Sequence, residues 1–175
     1  VLVDPKTGVA SSGTVSVIDC ASRRVVREIN VQLHPCEMAL SPDGSRLYVA
    51  NANSDTVSVI DTRSDTVTDT LSVKPMAELP FGCAPNALAV SPYGGTLYVC
   101  NGGNNAVAVI DLSSKRVTGL IPTGWYPGAI VVRDNMLYVG NTKGVGSRYE
   151  QGNLEAKRSN FGPNVTGFNT HDHLG

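Results

Sequence analysis

Leu47-Tyr48-Val49-Ala50-Asn51-Ala52-Asn53-Ser54-Asp55-Thr56-Val57-Ser58-Val59-Ile60-Asp61 reads as strand, polar turn, strand. In its second half Val57 and Val59 point to one face, Ser58 and Ile60 to the other. That is the period of two that marks a strand. Both faces carry apolar or small residues, so both faces are expected to be covered. Residues 51–55 are Asn, Ala, Ser and Asp, several of which tolerate left-handed backbone and cap their own turns.

The stretch recurs. Leu97 to Asp111 reads Leu-Tyr-Val-Cys-Asn-Gly-Gly-Asn-Asn-Ala-Val-Ala-Val-Ile-Asp. A half copy, Gly13-Thr-Val-Ser-Val-Ile-Asp19, lies upstream, and another, Leu137-Tyr-Val-Gly-Asn141, lies downstream. Asp19, Asp61 and Asp111 each end a strand, and their expected work is to bond turn amides. They stand 42 and 50 residues apart, and the excess sits in the loop Lys74–Gly82. A period of about 40–50 residues with four short strands marks a propeller blade. Each unit is completed by a first strand after Pro35, Pro85 or Pro127 and an outer strand (Arg23–Val31, Thr66–Val73, Lys115–Ile121). Ser41-Pro-Asp-Gly44 and Ser91-Pro-Tyr-Gly-Gly95 are turns with Pro and Gly at favoured positions. A short strand Val1-Leu2-Val3 and a loop from Asp4 to Gly8 are expected at the start. The fold class is therefore all-β: a partial propeller of about three and a half four-stranded antiparallel blades over residues 1–141. Residues 142–175, rich in Gly, Asn and charge, read as a long loop or tail, or as an insertion within a blade. Asn164–Phe168 is a candidate strand there.

The 175 residues carry a net charge of −1 with a sequence pI near 6.3. No basic stripe points to nucleic acid. No apolar run approaches the roughly 20 residues of a membrane-spanning helix. The chain begins without Met or a signal peptide, so it is expected to start inside something longer or to have been processed. Cys20, Cys36, Cys83 and Cys100 have no C-x-x-C or C-x-x-C-H spacing and are expected to be structural or free, with Cys20 and Cys100 in or ending strands and Cys36 and Cys83 in loops.

The motifs Leu-Tyr-Val-Ala-Asn, Thr-Val-Ser-Val-Ile-Asp and Ser-Pro-Asp-Gly resemble the YVTN family of β-propeller repeats over residues 1–141. A narrower resemblance, in Ile121-Pro-Thr-Gly-Trp-Tyr-Pro127 and Leu137–Gly146, is to bacterial proteins joining such a propeller to a phosphoesterase domain of the alkaline-phosphatase superfamily. The resemblance implies an exported protein. The metal-binding set and nucleophile of such a phosphatase are not recognisable here. A partial propeller leaves apolar faces uncovered, so the expected partners are further blades or a second copy of the chain.

The loops before each first strand carry His34, Phe81, Trp125 and Tyr126, which are expected at related positions near the propeller axis. They form either a ligand-binding floor or hub packing between blades. His171-Asp172-His173 alternates ligand types and is a weak metal candidate. Asn164-Val-Thr166 fits the glycosylation pattern. No cofactor is implied and no Ser/His/Asp set stands out. The leading expectation is a non-catalytic binding or scaffold module. The alternatives are a lactonase-type hydrolase, for which His34 is the sole polar axial candidate, and a surface-layer or adhesive repeat.

Overall fold

In the computed structural model residues 12–144 are described. The expected strand Val1–Val3, the Asp4–Gly8 loop, the Asn164–Phe168 strand, the Asn164 acceptor, His171 and His173 all lie outside these residues.

Twelve strands follow one another. They are β1 (Gly13–Asp19), β2 (Arg24–Val31), β3 (Pro35–Leu40), β4 (Arg46–Asn51), β5 (Thr56–Asp61), β6 (Thr66–Ser72), β7 (Pro85–Val90), β8 (Thr96–Asn101), β9 (Ala106–Asp111), β10 (Arg116–Pro122), β11 (Pro127–Arg133) and β12 (Met136–Asn141). A single 3-10 turn, Gly102–Asn104, is the helical content among the described residues. Four antiparallel sheets result: β1–β2, β3–β4–β5–β6, β7–β8–β9–β10 and β11–β12. The two complete sheets are simple meanders in register with each other, pairing Leu47 with Ile60 in one and Leu97 with Ile110 in the other.

The alternation in β4 and β5 explains how the sheets stack. Tyr48, Ala50, Val57 and Val59 face the third sheet, in one cluster with Leu88, Leu97, Val99, Ala108 and Ile110. Val49 and Ile60 face the first sheet, joining Val15, Ile29 and Val31. Ala87, Cys100 and Val107 meet Ile130 and Val139 of the fourth. Each central strand is thus buried on both sides, as its lack of a polar face requires. The first strands β3, β7 and β11 lie side by side, as do the outer strands β2, β6 and β10.

Each first strand carries a bulge at the same place. The register shifts between Pro35 and Glu37, Pro85 and Ala87, and Pro127 and Ala129. Cys36 is therefore the bulged residue of β3, not part of a loop. A proline opening the strand cannot donate to the ladder, and the extra residue restores the pairing beyond it. Cys20 falls just after β1 rather than within it, while Cys83 is buried in a loop and Cys100 is buried in β8.

The strand-ending aspartates behave as expected. Asp61 accepts the amide of Ser64 at 2.9 Å and that of Arg63 at 3.1 Å. Asp111 accepts the Ser114 amide at 2.7 Å, and Asp19 the Ser22 amide at 2.6 Å. The residue four later, Arg23, Asp65 or Lys115, is left-handed and returns its N–H to the aspartate carbonyl. The Ser64 amide and hydroxyl hold the Asp61 carboxyl down to about 2, and the hydroxyls of Ser113 and Ser114 with the Ser114 amide do the same for Asp111. Asp43, bonded by Ser41 and Ser45, also lies at about 2.

These folded-state values lie below the ordinary 3.8 of the carboxyl, so the unfolded chain binds protons first as pH falls. The stabilisation is present above the unfolded value and is lost as pH drops through about 4 to 2. Urea midpoints should hold steady from pH 7 to about 5 and fall below that. The fall should be shallower in the double variant Asp61→Asn, Asp111→Asn. A midpoint that rises on acidification contradicts this assignment.

Candidate functional site

At one end of the strands, the loops leading into β3, β7 and β11 meet the turns that follow the second strands of their own sheets, β4, β8 and β12. The meeting is the same three times. The carbonyls of His34, Ala84 and Tyr126 accept the amides of Ala52, Gly102 and Thr142 at 3.0, 3.1 and 3.0 Å. The preceding carbonyls, Leu33, Cys83 and Trp125, accept from Asn53, Gly103 and Lys143. For the carbonyls to aim this way, His34, Ala84 and Tyr126 all take left-handed backbone, with φ of 56°, 49° and 58°. Each precedes a proline and is not glycine, a conformation that costs on the order of 1–3 kcal/mol and persists when the surroundings over-determine it. Glycine is needed on the other side of one contact. A Cβ on Gly102 would lie 2.6 Å from Asn86 Nδ2 and 2.9 Å from the Tyr126 ring.

A second device joins each sheet to the next. Asp55, itself left-handed and buried, accepts the amides of Gly82 at 2.7 Å and Ala84 at 3.2 Å, both in the lead-in to β7. Asn105, its counterpart one sheet on, accepts the amide of Tyr126 at 2.9 Å. The backbone carbonyls of Asp55 and Asn105 also receive Val73 and Thr123. The turn of one sheet therefore fixes the start of the next. At the position equivalent to Asp55, β1 has Gly13, which packs closely against Pro35.

His34 and Tyr126 occupy equivalent positions, as expected, and both are exposed. Trp125 is one place earlier, half-buried, in line with Leu33 and Cys83. Phe81 does not belong to this set: its place in the repeat is filled by Ala84, three residues on, and the Phe81 side chain is 64% exposed on the long 74–84 loop. The ammonium of Lys143 stands 5.9 Å from the ring centres of both Trp125 and Tyr126, within cation–π range. Lys143 was not singled out from sequence, because its neighbours are brought to it by the turn-to-loop bonds rather than by spacing. Asn86, the bulged residue of β7, was missed for the same reason. Its buried Nδ2 and Oδ1 have no protein partner, and the Oδ1 atoms of Asn51, Asn101 and Asn141 are likewise unpaired. This end of the sheets thus carries two aromatic rings, one ammonium, a carboxamide with buried polar atoms and the His34 imidazole.

Elsewhere, a groove of about 280 Å³ is lined by Arg46, Tyr48, Asp69, Leu112 and Lys115 between the second and third sheets. Its charges are paired, Lys115 with Asp69 and Arg46 with Asp61. The buried thiols of Cys83 and Cys100 are pushed up to about 11, chiefly by loss of water. Among the described residues no group of three or more His, Cys, Asp or Glu is placed to hold a metal ion, and no helix is long and apolar enough to cross a membrane.

No family model and no curated protein matches the chain. Among solved structures it is similar to Kuenenia stuttgartiensis hydrazine synthase, at 32% identity and a TM-score of 0.55 over 62% of this chain and 29% of that one. It is also similar in fold to a functionally unknown protein from Desulfotomaculum acetoxidans, at 16% identity and a TM-score of 0.60 over 74% of this chain and 42% of that one. The chain spans less than half the length of either.

Replacing Asp55 by Ala removes the carboxylate that accepts the amides of Gly82 and Ala84, and hydrogen bonds to a charged group are worth about 1.5–3 kcal/mol. Asp55→Asn, which restores the one-acceptor arrangement of Asn105, should lose less. Urea unfolding monitored by circular dichroism reads both, and unchanged midpoints for Asp55→Ala would remove the staple from the account.

Proposed function

We propose that this chain is a stretch of a YVTN-type β-propeller that serves as a non-catalytic binding or scaffold module in a larger exported protein. The observation that carries the reading is the threefold lacing at one end of the sheets. It holds backbone in costly conformations and presents Trp125 and Tyr126 beside Lys143 on a fixed base, with His34 at the equivalent place of the second sheet. Side-by-side first strands β3, β7 and β11 support a common axis, with those loops around one of its ends. Sites of this kind sit on loops positioned by a rigid scaffold.

The likeness to part of hydrazine synthase is read as a shared β module, and that protein's activity is not carried over. The YVTN motifs and the Ile121–Pro127 segment support a phosphoesterase domain elsewhere in the same polypeptide. In this reading the propeller orients or recruits and the other domain performs chemistry.

The test is hydrolysis. The purified 175-residue chain should release no product above buffer from a five-membered sugar lactone or from p-nitrophenyl phosphate. Lactone turnover that disappears in the His34→Ala variant would overturn the reading in favour of a hydrolase.

A further inference from the structure

We propose that the loop end around Trp125, Tyr126 and Lys143 binds a hexuronate, a sugar ring carrying one carboxylate, either free or as a unit of an acidic polysaccharide. The inference rests on the binding reading above and names a ligand class for it.

The three side chains are surplus to the scaffold. The same main-chain bonds form around Leu33 and His34 with Asn53, and around Cys83 and Ala84 with Gly103. Only at the third lead-in do Trp125, Tyr126 and Lys143 occupy those places, all three together. Lacing therefore needs none of them, and what they add is a fixed grouping of two rings and one charge.

The charge sets the sign of the ligand. The half-buried Lys143 ammonium stands 5.9 Å from both ring centres. Elsewhere among the described residues, Arg27, Arg46, Lys115 and Arg133 are paired with aspartates. An ammonium already lying over two ring faces repels a second cation, so the rings are no cage for a quaternary ammonium. It attracts an anion. One ammonium balances the single charge of a carboxylate, whereas a phosphate monoester carries about −1.5 to −2.

The neighbours set the body of the ligand. Aromatic faces take the apolar face of a ring. The polar groups around them are neutral. Asn105 is exposed and uses its Oδ1 on the Tyr126 amide, which leaves its amino group as a donor. Thr142, also exposed, brings its hydroxyl to 2.6 Å from where a Cβ on Gly128 would lie. A Cβ on Gly102 would touch both Asn86 Nδ2 and the Tyr126 ring, so that carboxamide adjoins the ring. The buried Nδ2 and Oδ1 of Asn86 have no protein partner and suit a hydroxyl, which accepts from one and donates to the other. An aromatic carboxylate would use the rings and the ammonium but not the carboxamides. A neutral sugar would leave the ammonium unused. A ring with a C–H face, several hydroxyls and one carboxylate uses all of them.

Trp125 is the single tryptophan of the chain, so its fluorescence reports this site alone. Titrating the full 175-residue chain with D-galacturonate should give a saturable change, with calorimetry as the second readout. D-galactose lacks the carboxylate and benzoate lacks the hydroxyls, and each should bind about tenfold more weakly or worse. Lys143→Gln should weaken galacturonate binding about tenfold, and Lys143→Arg, which keeps the charge, should retain most of it. Trigalacturonate binding more tightly than the monomer assigns the site to a polysaccharide, and equal binding assigns it to the free sugar. No saturable binding of either, equal binding of galactose or benzoate, or galacturonate binding untouched by Lys143→Gln overturns the inference. The ligand comparison uses the unaltered chain, so it decides the matter even if the Gln variant fails to fold. The binding reading itself is tested separately, by the lactone and phosphate-ester assays: a site that takes no hexuronate on a chain without turnover sinks this inference alone.

Discussion

A strand that is apolar on both faces can leave neither face in water. Burying a Val or Ile side chain is worth roughly 1.5–3 kcal/mol, and β4, β5, β8 and β9 each present such side chains in both directions. One sheet of this composition is insoluble by itself and needs a sheet on either side. Stacking is therefore the constraint from which the architecture follows. The repeat supplies the next sheet, and the next sheet carries the same two-faced strands. The exposed Val131 and Tyr138 of the fourth sheet, and Ile18 and Val26 of the first, mark where the described pile stops.

Stacking alone fixes neither the spacing nor the angle between sheets. The polar bonds at the loop end do that. A left-handed residue before each proline turns two carbonyls toward a turn in its own sheet, and Asp55 or Asn105 reaches from that turn to the lead-in of the next sheet. The apolar clusters supply the attraction, and the carboxylate and carboxamide staples set the geometry. The proposed binding surface is a by-product of that arrangement. The same bonds that tie Trp125 and Tyr126 to residues 142–144 bring the Lys143 ammonium within 5.9 Å of both ring centres.

Much of this was legible in the sequence. The alternation in Val57–Ile60 predicts both burial faces, and the structure divides those residues between two clusters accordingly. The repeated Asp at the strand end predicts turn capping, which the amides of Ser22, Ser64 and Ser114 deliver. Three things were not legible. The eight extra residues carried by the 74–82 loop hide the repeat register, so the sequence groups Phe81 with His34 where Ala84 holds that position. The bulge after each proline moved Cys36 into a strand, because a bulge is a property of the pairing and not of either strand. The reach of Asp55 across to the next sheet depends on the stacking distance, which no local pattern encodes.

The most direct test of this account is amide hydrogen exchange followed residue by residue in the intact chain. If turns and lead-in loops are bonded into one stapled stack, the amides of Gly82, Ala84, Gly102 and Tyr126 should exchange slowly. Their protection should approach that of Val49, Val57, Val99 and Val107 at the centres of the sheets. Protected strand centres with those four loop amides exchanging as fast as a free chain would contradict it. The sheets would then be held by apolar contact alone, and the loop end would be no fixed platform for a ligand.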